Sequence, residues 1–330
     1  MAPADPSMGE FELIRRFFLR EEPNRQPGAG VILGIGDDAA LIDVPPRTEL
    51  AVTVDTIVEG RHFPRSSAAR SIGHRAMAVN LSDLAAMGAT PAWATLALTI
   101  PEADPLWLEC FADGLLALAD AHGVSLVGGD TTGGPLTVSV QLMGHVPRGT
   151  ALRRSGGRAG DWLAVTGTLG DAGAGLAYLE APPGQAPAEM VAELVKRFEF
   201  PAPRVRFGSL ARTVAHAAMD ISDGLVGDLP KLAAASGLAA QVDVERLPLS
   251  GALRATASAQ QALDWALGAG DDYELLLAVA PKRFDALAAA AAECDLALTA
   301  IGELAHGSGV TWSMNGREFI PSVRGYDHFR

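Results

Sequence analysis

Apolar and polar positions along this chain alternate between two periods. VILGIG (31–36) and ELAVTVD (49–55) are β-branched runs that end in turns, which predicts strands. From about Ser67 to Met87 the apolar residues recur at helical spacing, and Gly88 stands where a helix would be capped. WATLALTI (93–100) reads as a strand and Pro105 to His122 as a helix; VSLVGG (124–129) and LTVSVQLMGHV (136–146) read as two further strands. Near Thr150 a second half begins with SGGRAGDWLAVTGTLG, a strand leaving through a Gly-rich turn into a helix. A Pro/Gly/Ala stretch at 181–188 reads as an exposed loop. The Ala-rich segments 208–218, 228–240 and 284–293 read as helices, with GDDYELLLAVA (270–280) and GVTWSMNG (309–316) as strands. No short internal repeat is present. Mixed strands and helices predict an α/β (α+β) fold of two domains, 1–150 and 151–330.

Composition narrows what such a fold can do. The 330 residues are 48% hydrophobic, enough for two cores, and carry a net charge of −13. That acidity argues against nucleic acid or an anionic membrane as partner, since both demand basic patches. Two distant cysteines, Cys110 and Cys294, fit neither a disulfide framework nor metal-ligand spacing. No apolar run reaches the length of a membrane span, and MAPADPSMGE lacks the features of a signal peptide, so a cytoplasmic location is expected. Lysine occurs only at 196, 231 and 282, which excludes a P-loop and leaves phosphate binding to metals, backbone N–H groups and arginine.

Seven stretches place a carboxylate where an apolar run gives way to Gly, Ser or Thr: GIGDDAA (34–40), VTVDT (52–56), NLSDLAAMG (80–88), VGGDTTGG (127–134), GTLGD (167–171), MDISDG (219–224) and GAGDDYE (268–274). Converging carboxylates repel unless hard cations sit among them, and such cations commonly carry a phosphorylated ligand. Most of these motifs also have a plainer reading. GIGDDAA could be a tight loop with solvated aspartates; as a dinucleotide fingerprint it fails, because Asp37 and Asp38 would meet the pyrophosphate and Pro45 and Pro46 interrupt the helix. Asp55 closes a strand between Thr53 and Thr56 as an Mg²⁺ ligand or as a cap, whereas Asp83, inside a mostly apolar helix, is either a solvated face residue or aimed at a ligand. VGGDTTGG is the most specific, an anion nest or a flexible turn around Asp130. In MDISDG, Asp220 and Asp223 flank Ser222 at an expected helix start, where Ser222 and its neighbours would offer donors to a phosphate; an N-cap alone would explain one aspartate but not two. Arg153 and Arg154 could clamp phosphate or be ordinary surface arginines, and His62 could touch a substrate phosphate or be a satisfied loop residue.

Together these segments resemble the thiamine-monophosphate kinase family from end to end. The resemblance is carried by GEFELI (9–14), GIGDDAAL (34–41), Asp55-Thr56 with His62-Phe63, AVNLSDLAAMGA (78–89), GGDTTGGP (128–135), TGTLGD (166–171), DISDGL (220–225), GDDYEL (270–275) and GYDHF (325–329). It implies a fold shared with aminoimidazole ribonucleotide synthetase and selenophosphate synthetase, and a homodimer whose N-terminal domains pair their sheets. It also implies ATP held between domains, and ATP- and Mg²⁺-dependent phosphorylation of thiamine monophosphate, the last step of thiamine diphosphate synthesis. Carried over, it assigns Asp38, Thr53, Val54, Asp55, Asp83, Asp130, Asp220 and Asp223 to several magnesium ions, with Asp130, Asp220 and Asp223 central to catalysis. Gly129, Asp130, Arg154 and Ser222 would touch ATP, and His62, Asp271 and Val323 the substrate. Two substrate positions depart from the family pattern: Asp271 replaces the usual glutamate, and Val323 stands where an aromatic residue is frequent.

Overall fold

The computed structural model describes residues 9–19, 30–181, 184 and 186–329. The segment before Gly9, and Pro182, Pro183 and Gln185 of the expected 181–188 loop, lie outside them. The chain divides into two compact units, one running to Leu81 and resuming over Thr90–Arg148, the other formed by Ser82–Ala89 and the chain from Gly149 onward.

In the first unit a short helix α1 (Glu10–Leu13) runs into a π-helical turn (Ile14–Phe18), followed by the ribbon β1 (Val31–Leu33) and β2 (Leu41–Ile42). Then come β3 (Thr48–Val58), α2 (Ala69–Ala86), β4 (Thr90–Ile100), α3 (Pro105–Ala121), β5 (Ser125–Gly133) and β6 (Thr137–Pro147). Helix α3 starts where Asp104 accepts the Leu106 N–H and Pro105 supplies a preset first turn. Helix α2 ends just before Gly88, whose φ of +64° is the left-handed stop that the sequence predicts. The sheet order is β3-β6-β4-β5, with β4 and β5 parallel and the other pairs antiparallel.

Alternation sorts that sheet into two faces. Asp55, Val140, Leu96 and Gly129 lie in one cross-strand row, and the buried Val140 and Leu96 mark it as the covered face. The neighbouring row, Thr56, Ser139, Ala97 and Asp130, belongs to the opposite face. Leu50, Val52 and Val54 also point to that opposite face and are 46%, 54% and 61% exposed, an apolar stripe on an edge strand.

The second unit contains β7 (Trp162–Thr166), α4 (Asp171–Glu180), α5 (Ala188–Glu199), α6 (Val205–Ala211), β8 (Ala217–Ile221), α7 (Leu225–Ala235) and β9 (Ala239–Asp243). Helices α8 (Gly251–Thr256) and α9 (Ala259–Gly268) follow, then β10 (Glu274–Val279), α10 (Phe284–Ala292), β11 (Leu298–Ala305), β12 (Val310–Met314) and β13 (Arg317–Phe319). Its seven-stranded mixed sheet has the order β13-β12-β9-β11-β7-β10-β8. Leu163, Val165, Met219, Ile221, Leu276 and Ala278 supply the centre of its core.

Three expectations are corrected here. The segment 208–218 is helical only to Ala211, after which Ala217 and Ala218 enter β8. The segment 228–240 likewise leaves α7 at Ala235 and enters β9. In both places strand pairing and burial override the helical preference of alanine. The third is VGGDTTGG, read as an anion nest or a flexible turn following a strand: through Gly133 it is strand β5 itself, paired residue by residue with β4.

Candidate functional site

In the first unit three of the predicted residues meet at a cavity of about 560 Å³. Its walls are Ile14 and Phe18 of the N-terminal turn, the segment Ile35–Ala40, Thr95 and Leu96 of β4, and Leu126–Thr131 of β5. Asp38, Gly129 and Asp130 therefore share one cavity, and all three are exposed. Gly129 has a φ of +154°, and a Cβ there would collide with the Leu96 carbonyl oxygen. The position admits only glycine, and the bare backbone lets a ligand approach closely. The Asp38 N–H turns back onto Asp37 Oδ1 at 2.8 Å, which shapes the loop.

Asp55 is not part of this group. It lies on the covered face of β3, three strand spacings (about 14 Å) from β5. Asp130 stands on the other face, so within one chain no single ion can be shared by these two carboxylates. Asp55 is anchored differently, its N–H donating to Asn80 Oδ1 of α2 at 3.1 Å. Thr53 shares its face, whereas Val54 points to the opposite, exposed side. His62 sits in the turn after β3, where its Nδ1 accepts the Val58 N–H at 3.0 Å.

In the second unit the remaining residues gather where β8 gives way to α7. Asp220, nearly buried, accepts the Ser82 hydroxyl at 2.8 Å through Oδ2. Asp83 is the next residue along that helical turn, so its backbone lies within one residue of this contact. The N–H groups of Ser222 and Asp223, expected as phosphate donors, are both taken by Asp228 Oδ2, at 3.0 and 2.9 Å. Any ligand contact of Ser222 would therefore use its hydroxyl. Burial pushes the Asp228 carboxyl up, and its bond to Lys231 and the backbone bond from Asp223 do not fully offset that. Lys231 Nζ reaches Asp223 Oδ2 at 2.6 Å and Asp228 Oδ1 at 2.9 Å. Burial alone would lower its pKa, but these two carboxylates outweigh it and raise it.

The 270–274 segment is tied to the same loop. Asp271 donates its N–H to Ser222 O and Tyr273 donates to Ile221 O, both at 2.9 Å. Asp271 and Tyr273 have φ of +70° and +50°, a strained turn of the kind found at functional sites. The Tyr273 hydroxyl holds Asp271 Oδ1 at 3.1 Å. Between them, buried Asp272 accepts the Gly170 N–H at 2.7 Å at the start of α4, and burial pushes its carboxyl well up. Glu274, fully buried, accepts from Thr166, Arg197 and both donor positions of Arg204. Burial alone would raise its pKa; the two arginines and Thr166 reverse that and hold it low. Val323 packs onto the second core beside Gly268 as a part-buried aliphatic residue. Arg154 is exposed on a 3₁₀ turn (Arg154–Gly156), its carbonyl accepting the Ser236 hydroxyl.

Sequence reasoning missed Asn80, Ser82, Asp228 and Lys231. The last two carry a legible signal, a D-x-x-K pair one turn apart in a chain with three lysines.

Among the described residues no group of three or more His, Cys, Asp or Glu side chains is gathered closely enough to hold a metal ion. The oxygen-only donor set still suits Mg²⁺, which commonly binds through one or two carboxylates with nucleotide phosphates and waters completing the octahedron. No helix among the described residues is long and apolar enough to cross a membrane.

Residues 36–146 match the family described as AIR synthase related protein, N-terminal domain, and residues 158–314 match its C-terminal domain. Thiamine-monophosphate kinase of Salmonella typhimurium is 44% identical over 322 residues, covering 97% of this chain and 98% of that protein. Among solved structures, thiamine-monophosphate kinase from Stenotrophomonas maltophilia K279a is 48% identical with a TM-score of 0.82, covering 88% of this chain and 92% of that one. AaThiL complexed with AMPPCP and TMP is 32% identical with a TM-score of 0.77, covering 87% and 89%. With that likeness running through both units, the chain belongs to the thiamine-monophosphate kinase family of AIR synthase related proteins.

Proposed function

We propose that this chain transfers the γ-phosphoryl group of ATP directly to the phosphate of thiamine monophosphate, releasing thiamine diphosphate and ADP. The observation that carries this reading is the cavity that unites Asp38, Gly129 and Asp130 on a glycine-opened strand. Its support from relatives is the AMPPCP and TMP held together by AaThiL.

The acceptor is already an anionic oxygen near neutral pH, so the reaction needs no strong general base. Its difficulty is the approach of two polyanions. Mg²⁺, when bound, would neutralise the phosphates and stabilise charge spread over the transferring group. Asp38 and Asp130 would hold it in the first unit, with Asp55, Thr53 and the Val54 backbone as a separate set. Asp83, Asp220 and Asp223 would serve in the second. Gly129, Arg154 and the Ser222 hydroxyl would orient ATP, while His62, Asp271 and Val323 would bound the substrate. Residues 1–150 then carry most of the metal ligands, part of the ATP site and the dimer-forming sheet, and residues 151–330 add Asp220 and Asp223 and complete the ATP and substrate site. The exposed stripe of Leu50, Val52 and Val54 supports the homodimer, since an edge strand with an apolar face invites a second copy.

ATP made chiral at the γ-phosphorus tests the route. Inverted configuration in the thiamine diphosphate is expected of one direct in-line transfer. Retention would contradict directness by requiring a phosphoenzyme, and absence of the label from the product would contradict the reaction itself.

A further inference from the structure

Lys231 is a side chain beside the loop between β8 and α7 whose role the proposed reaction leaves open. Its ammonium touches two carboxylates of different character. Asp228 is 1% exposed in its side chain and fixed by the Ser222 and Asp223 N–H groups, so it is a rigid anchor. Asp223 is 31% exposed and Lys231 43%, so solvent and ions reach that half of the bridge. A part-exposed ion pair is weak enough to be exchanged, whereas the anchored half stays in place. The 2.6 Å contact puts a positive charge on the very oxygen, Asp223 Oδ2, that a divalent cation would seek.

We propose that Lys231 is a built-in counter-ion of this loop. It neutralises and orients Asp223 before a divalent cation arrives, and it competes with that cation for the carboxylate. Lys231 is thus a positioning residue, and the inference rests on the reading of Asp223 as a metal ligand. Removing the ammonium should make metal binding tighter, the opposite of what loss of a merely structural side chain would do.

The test counts free Mn²⁺ by electron paramagnetic resonance during titration of the metal alone into the full chain. Lys231→Met is expected to bind Mn²⁺ about fivefold more tightly than the unaltered protein, the worth of a part-exposed ion pair. Lys231→Arg, which keeps the charge, should stay near the original affinity, and Asp223→Asn should lose the site. Thermal melting checks that each variant is folded, and Lys231→Gln replaces Lys231→Met should the latter fail to fold. Unchanged or weaker Mn²⁺ binding in the neutral variants, with the site lost in Asp223→Asn, would overturn the counter-ion role and leave the metal assignment standing. An unaltered isotherm in Asp223→Asn would remove the metal assignment, and the counter-ion role with it.

Discussion

A carboxylate at a cavity wall and a carboxylate in a core answer to different physics, and this chain holds both. Asp130 faces the cavity beside Gly129, exposed, where its charge is available to a ligand. Asp130→Asn keeps the shape and removes the charge. Turnover is expected to fall by about a hundredfold or more, with the melting temperature nearly unchanged, in paired kinetic and thermal measurements. Glu274 serves the fold instead, buried against Arg197 and Arg204. Glu274→Gln leaves two arginines poorly paired and should lose about 3–5 kcal/mol at pH 7, read by denaturant unfolding. Because its pKa is held low in the folded state, its stabilisation is complete above the usual glutamate value of about 4.3 and is lost as pH falls through the lowered one. The stability gap between the two proteins should therefore close at acid pH; a gap that widened there would contradict the pairing. The motif aspartates were legible in the sequence because each ends an apolar run beside Gly or Thr. Their partners were not: Ser82 lies 138 residues from Asp220, a pairing that only tertiary folding creates.

At the scale of elements, most of the first unit is legible, since β3 and β6 alternate and β4, α2 and α3 fall where the apolar runs place them. The second unit is harder to read. Its alanine-rich stretches satisfy helix and buried strand equally, so β8 and β9 were hidden within expected helices, and helices α5, α8 and α9 went unread. The glycine run at 128–134 carries a different lesson. It suggests a turn by composition, yet Gly129 is required because β4 passes too close for a side chain. Gly129→Ala should force β4 and β5 apart, lowering stability by about 2 kcal/mol or more and abolishing AMPPCP binding in calorimetry. Wild-type stability and binding in that variant would show that the strands part freely there.

For the whole molecule, the exposed stripe of β3 bears on assembly. The proposed homodimer, placed on this stripe, predicts that the unaltered chain sediments as a dimer at micromolar concentration and that Val52→Glu sediments as a monomer; a monomeric unaltered chain would contradict the dimer, and a dimeric Val52→Glu would move the interface elsewhere. The acidity of the chain and its scarcity of lysine fit an enzyme that meets phosphate through metals rather than ammonium groups. The most direct test of that account mixes purified protein with ATP and thiamine monophosphate over a range of Mg²⁺ concentrations, and quantifies thiamine diphosphate as its fluorescent thiochrome derivative. Product that requires ATP and thiamine monophosphate together, and rises from nothing as Mg²⁺ is added, is the expected result. ADP released without thiamine diphosphate, or product formed equally well after chelation of all divalent metal, would contradict it.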